Sequence, residues 1–305
     1  MRDEDVFELE SKYVMPTYTR QKVVFVRGRG VVLYDSHGRE YVDFVAGVAV
    51  NCLGHCHPKV VEAICSQARE LIHTSNLYYI KPQVELAERL CEISGMEKVF
   101  FCNSGTEAVE AAIKLARKTT RRTRFVACEH SFHGRTMGAL SITHKESVRK
   151  PFEPLLDATF VPYGDEETLK SEVGKDVAAF VVEPIQGEGG VNVPPKEYLK
   201  TARDVCDDSG AILIFDEVQS GMGRTGRWFA KEHFGVEPDV MTLGKAIGGG
   251  LPLGATLSTR ISFETGEHGS TFGGGFIPCR AGLAVIDAIE EGNLIKHCEE
   301  IGEYF

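Results

Sequence analysis

The chain has 305 residues, with 34 Lys and Arg against 44 Asp and Glu. A formal charge of −10 with no long basic block excludes nucleic acid or an anionic membrane as its principal partner. At 43% apolar and 26% charged, it is not a disordered chain and is long enough for one large core or two domains.

The opening stretch, "MRDEDVFELE", has no apolar core of signal-peptide length. The longest apolar runs, such as "AAFVV" and "AILIF", are far too short to span a membrane, so a cytoplasmic location is expected. Next, "VVFVRGRGVVLYDSHGREYVDF" holds two β-rich runs broken by "RGRG" and "DSHG", which read as turns of a small antiparallel unit. "GHCHP" with Cys52 has the residue types of a metal cluster, yet no second Cys/His pair follows at roughly 12 to 20 residues; a packed loop is expected, and no metal.

From about residue 97 onward, strand-like runs alternate with helix-like stretches: "EKVFFC", "RFVACE", "ATFVPY", "AAFVVEPI", "AILIFDEV", "DVMTL" and "PLGATLS". That alternation predicts an α/β fold with a mostly parallel sheet flanked by helices. The last stretch, "CRAGLAVIDAIEEGNLIKHCEEIGEYF", is helical in pattern and halts without glycine, proline or a polar tail, as though more should follow. Nine cysteines, an odd number scattered along the chain, predict reduced thiols, mostly buried as small hydrophobes.

Three stretches carry chemistry. In "FFCNSGTEAVEAAIKLARK", Ser104 and Glu107 form a capping-box pattern, and Val109, Ala112, Ile113 and Ala116 share one face of the helix it opens. That is either a well-capped core helix or an anion site, because Gly105 permits close backbone approach, Thr106 offers a hydroxyl and the helix start offers free N–H groups. In "AILIFDEVQSGMGRTG", Asp216 ends a buried strand, where an unpaired carboxylate is costly. It needs a cation: a protonated ring nitrogen, with Gln219 close by, or an arginine such as Arg224. The same stretch contains "GMGRTG", a match to the dinucleotide pattern GxGxxG. Five residues separate the strand from its first glycine, and no acid ends a strand about 20 residues on, so a nicotinamide-dependent dehydrogenase is the weaker reading.

In "MTLGKAIGGGLPLGA", Lys245 stands between a short apolar run and a glycine-dense loop, at what should be the carboxyl edge of the sheet. "GK" followed by Ala fails the P-loop pattern, which leaves an amine suited to a Schiff base. A phosphate site, a carboxylate for a cationic ring nitrogen and an amine for an aldehyde together specify pyridoxal 5'-phosphate.

The motifs "VRGRGVVLYDSHGREYVDFVAGVAVNCLGHCHP", "FFCNSGTEAVEAAIKLAR", "SFHGRTMGALS", "VVEPIQGEGGV", "IFDEVQSGMGRTG", "MTLGKAIGGGLPLGA" and "HGSTFGGG" resemble, in order and spacing, those of the class III (fold type I) aminotransferases. The resemblance runs from about residue 10 to the last residue. It implies a large cofactor-binding domain over 56–285, preceded by a small-domain segment over 1–55 and followed at 286–305 by the start of a C-terminal small domain. It implies that Lys245 forms the Schiff base, that Gly105 and Thr106 hold the phosphate, that Phe132 stacks on the pyridine and that Asp216 pairs with its nitrogen. Glu217, Val218 and Gln219 would lie beside the ring, Gln219 near its hydroxyl.

Arg135 would grip the substrate α-carboxylate, which suits a planar two-pronged donor. Ser270 and Thr271 would reach the other subunit's site, to substrate and phosphate respectively, which requires a homodimer. Glu183 and Glu188 would lie near the site, and Glu188 resembles a gate residue whose arginine partner the family carries close to its C-terminus, in a continuation of about 80 to 100 residues that the resemblance implies beyond Phe305. After "HGSTFGG" the family usually has Asn-Pro where this chain has Gly275 and Phe276. Val48 stands where ornithine-acting members tend to carry tyrosine, which favours an acylated substrate. The implied activity is transamination of N2-acetyl-L-ornithine with 2-oxoglutarate. Ornithine, 4-aminobutyrate, a succinylated amine and an isomerase on the same scaffold remain alternatives.

Overall fold

Two neighbouring strands, β7 (Val177–Val182) and β8 (Ile212–Asp216), are buried at every position because helices cover both of their faces. Phe180, Val182, Leu213 and Phe215 point to one side, against Tyr198, Leu199 and Cys206 of the helix Tyr198–Ser209. Ala179, Val181, Ile212 and Ile214 point to the other, against Val109, Ala112, Ile113 and Ala116 of the helix Gly105–Thr120. This is why these strands read as unbroken apolar runs rather than as alternating ones.

The computed structural model describes residues 1–305. With strands numbered along the chain, the main sheet has seven members in the order β4 (Lys98–Cys102), β10 (Gly254–Ser258), β9 (Val240–Leu243), β8, β7, β5 (Arg124–Cys128), β6 (Ala158–Val161). All neighbours pair in parallel except β10, which is antiparallel to both β9 and β4. The expected α/β architecture is therefore present, with one reversed strand inside it. A consequence matters for function: β4, β5, β7, β8 and β9 all run the same way, so Cys102, Cys128, Val182, Asp216 and Leu243 end at one edge.

A third apolar cluster sits where Leu86, Leu90, Val285 and Ile286 meet Met241, Leu243, Ala255 and Leu257 of β9 and β10. The helices Lys81–Ser94 and Phe276–Glu291 contribute its outer layer. The N-terminal region forms its own antiparallel sheet, β1 (Phe25–Arg29), β2 (Val32–Asp35) and β3 (Glu40–Val42). Asp35 closes the "DSHG" turn by accepting from the amides of His37 and Arg39 at 2.9 Å and from Tyr41 at 3.0 Å.

The "GHCHP" segment is tied to this unit. His55 Nε2 lies 2.7 Å from the Asp43 carboxylate, and the His55 backbone bridges to Gly30. All nine cysteines are free; four are buried, three partly buried and two exposed, so fewer are core residues than expected. No helix is long and apolar enough to cross a membrane.

Because Phe180 is fully buried at the centre of the sheet, Phe180→Ala should lower stability by about 3–5 kcal/mol in a denaturant titration. A loss below about 1 kcal/mol would contradict the packing described for this face.

Candidate active site

At the carboxyl edge of the sheet, β9 ends at Leu243 and Lys245 opens a one-turn 3-10 helix, Lys245–Gly248. Its φ is +48°, a left-handed conformation that costs a side-chain-bearing residue about 1–2 kcal/mol. The next turn holds it there: Cys52 Sγ donates to the Ala246 carbonyl at 3.7 Å, and Ile247 N donates to Gly244 O at 3.2 Å. Burial pushes the Lys245 amine below the ordinary lysine range, while the charges of Asp216, Glu183 and Glu188 pull it partly back.

Asp216, at the end of β8, is 4% exposed and fully partnered. His133 Nδ1 donates to Oδ2 at 2.7 Å, and Oδ1 accepts from Val218 N at 3.0 Å and Thr242 Oγ1 at 3.2 Å. Burial alone would depress the His133 pKa, but the bond and charge of Asp216, with the charge of Glu183, carry it upward. The other ring nitrogen, His133 Nε2, is buried without a partner.

The third component is the start of the helix Gly105–Thr120. Ser104 Oγ accepts from Glu107 N at 3.3 Å, as the capping pattern predicted. The return half differs: Glu107 Oε2 accepts from Asn103 N at 2.8 Å and Asn103 Nδ2 at 3.0 Å, one residue earlier than a capping box requires. The amides of Gly105 and Thr106 have no carbonyl to reach within the helix. A Cβ on Gly105 would lie 2.6 Å from Val218 Cγ1, so only glycine lets these two walls meet. Gly134, at φ +138°, passes so close that a Cβ would lie 2.2 Å from Thr106 Oγ1, which itself pairs with Thr136 Oγ1 at 2.8 Å.

A cavity of about 270 Å³ brings these parts together. Its lining includes Lys245, Asp216, Gly105, Thr106, Phe132, Arg135, Glu183, Glu188, Val218 and Gln219, all expected from the sequence, along with His133 and Gly134. The Arg135 guanidinium lies 5.6 Å from the centroid of the Phe132 ring. The donor set fits pyridoxal phosphate: free helix amides at one end for a dianion, a buried carboxylate at the other for a cationic ring nitrogen, and an amine of lowered basicity for an aldehyde.

The comparisons with known proteins agree with that fit. A family model described as "Aminotransferase class-III" matches residues 13–305. The chain belongs to the class-III aminotransferases. An acetylornithine aminotransferase of Methanosarcina acetivorans is 57% identical over 307 residues, covering 100% of this chain and 78% of that protein. Among solved structures, the ornithine aminotransferase of Toxoplasma gondii superposes with a TM-score of 0.95 at 34% identity, covering 100% of this chain and 75% of that one. The acetylornithine aminotransferase of Elizabethkingia anophelis gives a TM-score of 0.85 at 35% identity, covering 100% and 77%. Class-III aminotransferases depend on pyridoxal phosphate.

One expectation for this class-III chain needs correction, that Glu217 lies beside the ring. Glu217 does not line the cavity: its buried carboxylate accepts from Ser220 Oγ at 2.6 Å and from the amides of Ala230 and Lys231 at 2.9 and 2.8 Å. It anchors the loop behind the site, as a residue adjacent to Asp216 on an extended strand end must face the other way. Asp216 pairs with His133 rather than Arg224. The glycines of "GMGRTG" precede only a one-turn 3-10 helix, Ala230–His233, so no long helix start awaits a dinucleotide pyrophosphate. Ser270 and Thr271, expected to reach another subunit's site, line a neighbouring cavity with Asn103 and Glu107. Val48 lies outside the cavity holding Lys245, exposed on the left-handed turn Ala46–Ala49.

The main omission in the sequence reading was His133. The signal was available, since Asp216 demanded a partner and "SFHGR" places a histidine beside Phe132. Gly134→Ala should displace Thr106 and weaken pyridoxal phosphate binding at least tenfold, about 1.4 kcal/mol, in an equilibrium titration of the apoprotein. Unchanged affinity would separate Gly134 from the anion end of the cavity.

Proposed function

We propose that this protein transfers the amino group of N2-acetyl-L-ornithine to 2-oxoglutarate, giving N-acetyl-L-glutamate 5-semialdehyde and L-glutamate, a step of arginine biosynthesis in the cytoplasm. The observation that carries the reaction class is Lys245: an amine disfavoured as ammonium by burial, in one cavity with the buried Asp216–His133 pair and a helix start. The choice of amine rests on 57% identity to an acetylornithine aminotransferase across the whole chain. The closer backbone match to an ornithine aminotransferase makes free ornithine the second reading.

When bound, pyridoxal phosphate supplies an aldehyde that takes up amines and a ring that accepts the electron pair left by a departing proton. The protein supplies the rest. Gly105 and Thr106 would hold the phosphate at the helix start, and the Asp216 carboxylate would favour a proton on the ring nitrogen. Phe132 would pack on the ring with Val218 and Gln219 beside it, and Arg135 would bind the substrate α-carboxylate with two parallel donors. Lys245 Nζ would be the base that takes the proton from the substrate carbon and returns it one position away. Glu188, exposed at the cavity mouth, is the gate carboxylate on this reading.

A homodimer is part of the proposal. Ser270 and Thr271 would serve the other subunit's site, and they adjoin an apolar surface formed by Leu77, Tyr78, Tyr79 and Phe272, which are 89%, 69%, 100% and 66% exposed. Asn76 Nδ2 donates to the carbonyls of Ser270 and Gly273 at 2.9 Å, joining the two segments into one patch. A patch of this kind on a single chain supports a subunit contact. The division into 1–55, 56–285 and 286–305 belongs to the same reading, supported by the separate N-terminal sheet.

Lys245→Ala should abolish turnover, on the order of 10⁴-fold or more, with the circular dichroism of the fold retained; residual turnover near wild type would refute the assignment. Arg135→Lys should raise KM for both the amine and 2-oxoglutarate by at least about tenfold, because an ammonium cannot reproduce the bidentate contact. A fall in kcat alone would move the carboxylate site elsewhere. Screening amines with 2-oxoglutarate should give the highest kcat/KM for N2-acetyl-L-ornithine, and a preference for free ornithine would replace the first reading by the second.

A further inference from the structure

Glu183 is the buried carboxylate of the cavity to which the proposed chemistry assigns no task. It follows β7 directly, is 5% exposed, and lines the cavity. Its two oxygens are divided between two loops. Oε1 accepts from Phe132 N at 3.0 Å, in the loop after β5, and Oε2 accepts from Gly187 N at 3.2 Å, in the loop that carries Glu188. The Glu183 backbone is fixed from a third loop, since Tyr163 Oη donates to the carbonyls of Glu183 and Pro184 at 3.1 and 3.0 Å.

We propose that Glu183 is a positioning residue that locks the wall bearing Phe132 and Arg135 to the wall bearing Glu188, so that the two sides of the cavity keep one fixed separation. The proposal rests on the assignment of this cavity to the aminotransferase reaction. Only an ionised carboxylate does this within one side chain: each oxygen serves one amide, whereas a glutamine would turn an N–H₂ donor against one of the two N–H groups. A buried carboxylate is costly unless hydrogen-bonded, and burial does push the Glu183 pKa upward, with Asp216 adding to it, while His133 and the two amides oppose the shift. An apolar side chain would pack at this position at lower cost. A purely structural tie has no such need of the cavity side, because Gln186 Nε2 already joins the same two loops from behind, through Glu129 O at 2.7 Å.

The test uses the wild-type holoenzyme first. The amides of Phe132 and Gly187 should exchange hydrogen at least about tenfold more slowly than that of Glu188, for which the structure gives no acceptor in the same loop. Exchange of all three at a common rate would overturn the lock. Next, Glu183→Gln and Glu183→Asp are compared, the first losing the charge and one acceptor, the second keeping both acceptors and the charge but falling one methylene short.

Both variants should reduce the visible circular dichroism of the bound cofactor and lower kcat at least about tenfold, with melting temperatures within a few degrees of wild type. Wild-type behaviour of Glu183→Asp would make the charge alone sufficient and overturn the proposal, as would wild-type behaviour of Glu183→Gln. Should a variant fail to fold, the amide exchange of the wild type still decides. That measurement needs no substrate, so a wild-type protein that binds cofactor yet leaves N2-acetyl-L-ornithine unreacted would sink the substrate assignment and leave this one standing.

Discussion

The hydrogen bond from His133 Nδ1 to Asp216 Oδ2, 2.7 Å long and almost without solvent, is the contact on which the site depends. A carboxylate at the end of a buried strand is tolerable only while it is partnered, and removing one member of such a pair costs about 3–5 kcal/mol. The need for that partner accounts for the path of the loop after β5. It must bring His133 over the end of β8, which carries Phe132 and Gly134 to the cavity with it and sets Gly134 against Thr106 at the helix start. The anion end, the ring-facing wall and the carboxylate are thus mutually fixed rather than independently placed.

Much of this was legible in the sequence. All seven runs read as strands became β4 to β10, because runs buried on both faces are apolar throughout and are separated by segments of helical period. The face of the helix after Ser104 was correctly read for the same reason. Lys245, Asp216, Gly105 and Thr106 were brought together as the sheet topology requires, each lying at or just beyond the end of a strand that runs the same way. What escaped reading was any feature that depends on distant pairing. The reversal of β10 inside the sheet leaves no mark on its composition. The same holds for the partner of Asp216, 83 residues away along the chain, and for the outward turn of Glu217, which depends on the amides of Ala230 and Lys231.

The cofactor end and the substrate end of the cavity are specified to different degrees. Backbone shape does not separate amines, since an ornithine aminotransferase superposes better than an acetylornithine aminotransferase of almost equal identity. Such superposition measures the path of strands and helices and not the identity of side chains at the site. Discrimination between an acylated and a free amine depends on a few side chains at the mouth of the cavity, and identity across the chain samples those more directly than backbone overlap does.

Lys245 occupies a backbone conformation that glycine or asparagine would adopt with less strain. If Lys245 has the role proposed for it, chain stability and amine chemistry compete at a single codon. Under drift without selection for turnover, the fold would gain by surrendering the lysine. A descendant of this gene freed from its reaction should therefore lose its nucleophile early, and to a small or turn-forming residue, while the surrounding sheet persists.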